Sequence, residues 1–383
     1  RRAGLLPAAL LIALLATALG RFDCGSSGHE FLVAGPTSGQ ALSLGPYLQE
    51  LSDHEALVCW VSAPSTTTAL RHGKGTQLDK RASSSRQLAF SQARLQGLQP
   101  RTWYSYRLTT SQGPGPTYRF RTLPPAGDRT APYHFIVYGD QRGQKVHAQL
   151  VPRMTQERPD FIICTGDLVN DGTDWSDWRD LFAAASQLYA TSPLYPALGN
   201  HERDSPTYFD LFRLPKGERY YSVDFGPMHW ICLDSNDAHA RSAEQVAWLI
   251  ADLMAHQTYP YIFVFFHHPP YSCAVEDRRG GSRVVRDMWD GIFRQFAVNA
   301  VFCGHDHNYQ RNVVKGATYV VTGGGGAPLH GVEPMNYTLV AESVHHFMVG
   351  DWDGQAMRFR AYRLDGSLLD HFTVSRRQAS LNP

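Results

Sequence analysis

Phe161-Ile162-Ile163-Cys164-Thr165-Gly166-Asp167 is a short apolar run that ends in a glycine and a carboxylate. A run of this length, bounded by turn residues, suits a strand buried on both faces and is too short for an ordinary helix. The same grammar recurs on either side of it. His134 to Tyr138 precedes Gly139-Asp140, and Leu194 to Leu198 precedes Gly199-Asn200-His201-Glu202. Tyr261 to Phe266 leads into His267-His268-Pro269, and Ala300 to Cys303 leads into Gly304-His305-Asp306-His307. Side chains set at the carboxyl ends of parallel strands in an α/β sheet converge on one crevice. The crevice expected here collects carboxylates, an amide and imidazoles.

Each motif alone has a plain structural reading. A Gly-Asp pair after a strand is a common turn, and its Asp often caps the next helix. A His in an apolar strand, such as His267, is commonly a hydrogen-bonded core residue. Gly304-His305-Asp306-His307 is sharper, because two imidazoles one residue apart at a strand end can reach two adjacent metals. Five such motifs in order, each at a strand end, assemble hard oxygen and borderline nitrogen donors that suit a pair of metal ions.

The remaining sequence frames that site. The chain has 383 residues, enough for two domains, with 43% hydrophobic and 19% charged residues and a formal net charge of +1. That balance implies no nucleic-acid partner and no electrostatic membrane surface. Arg1-Arg2 precede the apolar run Leu5 to Leu19, followed by small residues at Ala18-Leu19-Gly20. This predicts a cleaved export signal over 1–20, with an uncleaved anchor as the alternative and the paired arginines pointing to twin-arginine export. The expected location is periplasmic or extracellular, with no membrane contact beyond that segment. Residues 21–40 are Gly/Ser-rich and read as a linker. From 41 to 123, short alternating segments around Trp60, Phe90, Tyr104-Ser105-Tyr106 and Phe120 predict an antiparallel β-sandwich. After the joint Pro124 to Ala131, strands and helices alternate over 132–376. Ser242 and Gln245 predict a capping box opening a helix. Tyr220 to Asp224 and Met228 to Leu233 predict a hairpin.

Cys59, Cys164, Cys232 and Cys303 lie in apolar runs and read as buried thiols. Cys24 and Cys273 lie in loop-like sequence, and whether they pair is left open by the sequence. The glycine run Gly323 to Gly326 lacks the Gly-Lys-Ser/Thr of a phosphate loop. It is expected to allow close backbone approach beside the crevice, with His330 as a possible lining residue. His345-His346-Phe347 is expected to open a strand.

With these motifs in place, the sequence resembles the calcineurin-like metallophosphoesterases, and within them the branch of the purple acid phosphatases. The likeness runs from the fibronectin type III-like sandwich through all five motifs. It implies a four-layer α/β/β/α metallophosphoesterase domain behind the sandwich, and two metal ions chosen among Fe, Zn and Mn. By resemblance, Asp140, Asp167 and His307 would hold the first metal. Asp167 would bridge to the second, completed by Asn200, His267 and His305, with His268 the alternative to His267. His201 would serve the transferring phosphoryl group or the leaving oxygen, and Glu202 would orient it.

Two positions depart from the pattern. The first motif reads Asp140-Gln141-Arg142, where many relatives have Asp-x-His. Asn170 stands where purple acid phosphatases carry a tyrosine three residues after the second Asp. Arg142 is therefore expected either to contact a substrate phosphate or to serve as a surface ion-pair residue. The function implied is hydrolysis of small phosphomonoesters by metal-activated hydroxide. Phosphodiester hydrolysis with the same ligands is the alternative. A secreted binding protein with a degenerate enzyme domain is a more distant one. Oligomeric state is not legible in the sequence.

Overall fold

The computed structural model describes residues 42–377, apart from 64–65, 88, 143–144 and 216–218. The expected signal 1–20, the linker 21–40 and Cys24 lie outside the described residues. All the described residues fall in one compact unit.

The chain begins with two four-stranded antiparallel sheets. Leu42–Gln49, Ala56–Ser62, Phe90–Leu95 and Ser84–Gln87 form one, and Lys80–Ala82, Thr68–Lys74, Trp103–Thr110 and Gly113–Arg121 form the other. Trp60, Leu70, Tyr106 and Phe120 are almost wholly buried between them. The alternation of Tyr104, Tyr106 and Leu108 places these three on the core side, as a period of two requires. The sandwich is fastened to the next domain by buried polar contacts. Tyr47 Oη donates to the Leu211 carbonyl and Tyr106 Oη to the Ala190 carbonyl, both at 2.8 Å. The Tyr47 and Phe182 rings lie 4.7 Å apart at the same seam.

Two mixed sheets then stack face to face. The first contains six strands, with Tyr133–Tyr138, Phe161–Cys164 and Leu194–Pro196 parallel to one another. Antiparallel His346–Trp352, Met357–Arg363 and Leu368–Val374 complete it. The second has seven strands, with Met228–Cys232, Tyr261–Phe265, Ala300–Cys303 and Ala317–Thr322 in parallel. Aromatic rings fill the space between the sheets: Phe135 meets Trp230 at 5.5 Å, and Phe359 meets Phe302 at 5.1 Å. Helices cover the outer faces. Lys145–Glu157 buries Leu150, Val151 and Met154 on one side, and Ala243–Ala255 buries Leu249 and Leu253 on the other. The architecture is the expected α/β/β/α stack behind an antiparallel sandwich.

Local differences from the sequence reading have physical causes. The expected strand Leu194 to Leu198 ends at Pro196, where the chain turns into the crevice. Ser242 accepts from the Gln245 N–H, but the box is only half formed. The Gln245 side chain instead accepts from Asp234 N–H and donates to the Asp234 and His239 carbonyls. Those backbone groups are buried and need partners more than Ser242 does. Cys273, read as a loop cysteine, is a buried free thiol, as are Cys59, Cys164, Cys232 and Cys303.

Candidate metal centre

The candidate ligands leave both sheets, not one. Asp140, Asp167 and Asn200 follow parallel strands of the first sheet, while His267, His305 and His307 follow strands of the second. The crevice therefore sits across the carboxyl ends of the stacked pair. Asp140, Asp167 and His305 hold φ angles of 60°, 52° and 67°. These are left-handed conformations that Asp and His tolerate better than most residues. The bend is pinned by Asp140 N–H donating to the Gly166 carbonyl at 3.0 Å and Arg142 N–H donating to the Asp167 carbonyl at 3.2 Å.

The glycines before the ligands have a steric reason. A Cβ on Gly199 would stand 2.1 Å from Asp167 Oδ1, and one on Gly304 would stand 2.3 Å from Asp140 Oδ2. Each carboxylate occupies the space that a side chain would need.

Asp140 and Asp167 are buried, at 0% and 1% exposed. Asp140 accepts from the His305 N–H, and His307 Nε2 lies 3.5 Å from its Oδ1. His267 Nε2 lies 3.3 Å from Asp167 Oδ1, 3.1 Å from Asn200 Oδ1 and 3.3 Å from His305 Nδ1. His305 Nδ1 is also 3.1 Å from Asn200 Oδ1. The far nitrogens explain the orientation of two rings. His267 Nδ1 meets the Thr165 carbonyl at 2.9 Å, and His307 Nδ1 meets the Pro328 carbonyl at 2.6 Å. A carbonyl only accepts, so Nδ1 carries a proton and Nε2 faces the carboxylates, where it can ligate a cation once deprotonated. Lone pairs and carboxylate oxygens converging in a buried space fit a bound cation, and the outer carbonyls match the usual second partners of metal-binding imidazoles. The residues present fit the metals implied by resemblance.

The electrostatics divide the imidazoles. Burial works against the His267 imidazolium, but the Asp167 carboxylate outweighs it and lifts the ring to about 10. The same pairing, against the cost of burial, holds Asp167 below the usual carboxylate range. Burial and the neighbouring His267 charge keep His305 strongly depressed and His268 at about 3. His305 and His268 are thus held neutral, as metal ligation requires, whereas His267 would release its proton when a cation takes over the charge of Asp167.

Glu202 is placed differently from the expectation that it orients His201. Its buried carboxylate accepts from the backbone N–H groups of Asp167, Leu168 and Gly199 at 3.0, 2.8 and 2.6 Å. It thus ties the Gly-Asp turn to the Gly-Asn turn. Burial first, and then the Asp167 charge, push its carboxyl up to about 8. His201 is held by other groups. Its Nδ1 meets the Asn170 carbonyl at 2.6 Å, and its Nε2 stands 3.8 Å from Asp167 Oδ2.

Arg142 and Asn170 meet each other, with Arg142 Nη2 donating to Asn170 Oδ1 at 2.5 Å. Asp306, inside the Gly-His-Asp-His motif, turns away from the carboxylate pair to accept from Ser272 Oγ and from Arg278 Nη1. Ser272 is buried in that contact. His330 stacks on His307 at 4.0 Å, and its Nδ1 accepts the His307 N–H at 3.1 Å. Arg278 also donates to the His305 carbonyl at 3.0 Å. Sequence reasoning missed Arg278, whose position depends on a turn that carries no strand-end motif. The glycine run behaves as expected: a Cβ on Gly323 would meet the Asp306 carbonyl at 2.4 Å, and one on Gly325 the Gly139 carbonyl at 2.3 Å. His346 opens a strand, with its Nε2 3.0 Å from Thr322 Oγ1.

Residues 130–309 match the model of the calcineurin-like phosphoesterase family. Purple acid phosphatase 22 of Arabidopsis thaliana is 28% identical over 231 residues, covering 56% of this chain and 51% of that protein. A phosphoenolpyruvate phosphatase of Allium cepa is 26% identical over 272 residues, covering 64% and 54%. This chain spans about half the length of the curated relatives it matches. The structure of a purple acid phosphatase from yellow lupin superposes with a TM-score of 0.74 at 20% identity, covering 86% of this chain and 74% of that one.

Proposed function

We propose that this chain, which carries a calcineurin-like phosphoesterase domain over residues 130–309, hydrolyses small phosphate monoesters at a two-metal centre. The observation that carries the reading is the paired geometry of His267 Nε2 against Asp167 and His307 Nε2 against Asp140. That pairing supports one metal held by Asp140, Asp167 and His307 and a second held by Asp167, Asn200, His267 and His305. Iron, zinc and manganese all suit this donor set. When bound, such ions neutralise phosphate oxygens and make a water acidic enough to act as nucleophile near neutral pH.

The protein's own groups supply the rest. Arg142, whose guanidinium meets Asn170 Oδ1, carries a planar fork that suits a phosphate. His201, with Nδ1–H committed to the Asn170 carbonyl, turns Nε2 toward the crevice. A proton held there can be passed to the leaving oxygen. Glu202 keeps the two ligand turns in register, so it acts as a positioning residue. That relatives are named phosphatases supports monoesters, rather than diesters, as the substrate class of this chain. Export is part of the proposal and rests on the apolar run Leu5 to Leu19. No helix among the described residues is long and apolar enough to cross a membrane.

The test is p-nitrophenyl phosphate hydrolysis by protein stripped of metal and resupplied with Mn, Fe or Zn. Activity lost on stripping, regained with metal and abolished by Asp167→Asn is expected. Hydrolysis that survives Asp167→Asn and His305→Ala would refute the site.

A further inference from the structure

The sheet formed by Lys80–Ala82, Thr68–Lys74, Trp103–Thr110 and Gly113–Arg121 carries no Asp or Glu in any of its four strands. Its outer face is lined with arginine, in a chain whose formal net charge is only +1. The ladder sets Arg81 opposite Arg71 and Arg71 opposite Arg107. Arg119 and Arg121 stand two positions apart on the next strand, and so on one face. Like charges directly opposite on neighbouring strands repel and destabilise a sheet. Of these five arginines, only Arg121 has a carboxylate partner among the described residues, Asp160 at 2.8 Å. Four neighbouring arginines without a carboxylate partner among the described residues form a concentration of positive charge that an anionic ligand would complement.

Trp103 lies in this face. It pairs across from Arg121 and is 36% exposed. The Arg119 and Arg121 guanidinium carbons lie 5.3 and 5.8 Å from its ring centroid. Beside it the face runs into a hollow of about 430 Å³. Thr117 and Arg119 line one wall, and Arg158, Gln187 and Thr191 of the following domain line the other.

We propose that this face binds an anionic polysaccharide, a glycan bearing sulfate or carboxylate groups along an extended chain. Guanidinium forks hold such oxyanions bidentately. Strands about 4.8 Å apart offer them as a regular row of contacts along a flat surface. The hollow has the size of an ordinary small-ligand site. Its hydroxyl and amide groups can pair with sugar hydroxyls, while the partly exposed Trp103 offers apolar surface to the sugar. A lipid surface fits less well, because Trp103 is the sole large exposed apolar residue in these strands among those described. A nucleic-acid duplex would meet the arginines but leave the hollow unfilled.

The probe is size-fractionated heparin, titrated into the full chain at physiological ionic strength, with duplex DNA and phosphatidylserine vesicles as comparisons. The wild type is expected to bind heparin more tightly than either comparison. Arg107→Gln with Arg119→Gln is expected to weaken binding by about tenfold, as the loss of salt-dependent anion contacts implies. Trp103→Ala is expected to weaken it as well. The melting temperature of the double variant should be equal to that of the wild type or higher, since opposed like charges are removed, and p-nitrophenyl phosphate kinetics should stay unchanged in both variants, which separates this face from the metal centre. Heparin binding that is absent, or equal in the double variant, would overturn the proposal. DNA or vesicle binding as tight as heparin binding, or a Trp103→Ala protein that binds normally, would overturn the assignment to a glycan.

Discussion

Arg142 Nη2 donates to Asn170 Oδ1 at 2.5 Å, so the two positions that depart from the family pattern are joined to each other. Asn170 then continues the chain through its backbone carbonyl, which takes His201 Nδ1 at 2.6 Å. One residue thus anchors a candidate phosphate contact with its side chain and a candidate proton donor with its backbone. The two functions should separate under mutation. Arg142→Ala is expected to raise KM by about tenfold with kcat little changed, as loss of a charged phosphate contact implies. Asn170→Ala keeps the carbonyl, so it should resemble a weaker Arg142→Ala. His201→Ala should lower kcat by about 10² to 10⁴. Steady-state kinetics on p-nitrophenyl phosphate decide the matter, and an Arg142→Ala protein with unchanged constants ends the assignment of a phosphate contact to Arg142.

The same substitution predicts a colour. A phenolate bound to ferric iron gives an intense visible charge-transfer band, and the position that would supply it is Asn170. The iron-loaded protein should therefore show no intense purple absorption. A strong band in the pure iron-loaded protein would mean that another phenolate reaches the metal.

Gly199 offers a test of ligand placement that touches no ligand chemistry. A Cβ there would lie 2.1 Å from Asp167 Oδ1 and 2.5 Å from Asp167 N, and the backbone atom cannot step aside cheaply. Gly199→Ala should displace the shared carboxylate, and metal content measured by elemental analysis should fall below two ions per chain. Gly291→Ala is the control. Gly291 is helical, and its added Cβ would meet nothing within 4 Å. That change should leave metal content intact and stability equal or slightly higher. Full metal loading of Gly199→Ala would show that the close approach is not a constraint.

The strands around the crevice were legible because four of the five buried runs stop at a glycine followed by a polar residue, and the fifth at His267-His268-Pro269. The steric reason for the glycine and the chemical reason for its neighbour fall on adjacent positions, as at Gly199-Asn200 and Gly304-His305. What stayed hidden depends on contacts distant in sequence. Nothing in Asn-His-Glu reveals that Glu202 will reach back to the Asp167 and Leu168 N–H groups. Nor does the sequence divide the ligands between two stacked sheets. The arginine face was also invisible. Arg71, Arg81, Arg107 and Arg119 belong to four strands and become neighbours only through ladder register. The half-formed capping box at Ser242 failed for a similar reason: the buried backbone of Asp234 claims the Gln245 side chain.

A pH dependence of stability is built in far from the crevice. His229 is 1% exposed, with Nδ1 at 2.7 Å from Asp224 Oδ1 and Nε2 at 2.7 Å from Asp252 Oδ2. Both nitrogens can donate only when the ring is charged. Burial opposes that charge, but the hydrogen bonds and charges of the two carboxylates outweigh it and raise the pKa. His256 stacks on the ring at 3.8 Å. In the unfolded chain the ring titrates near about 6.5. The native state therefore binds more protons between that value and the raised one, and stability falls as pH rises through this window. The contribution is complete below about 6.5 and lost once pH passes the native value. His229→Gln keeps polarity without the charge, so its melting temperature should lie well below that of the wild type at pH 6. The gap should narrow as pH is raised from 6 toward 9, because the native state then holds a proton that the unfolded chain has lost. Thermal melts of both proteins across that range provide the measurement, and a gap that stays constant would show that the native ring is neutral throughout.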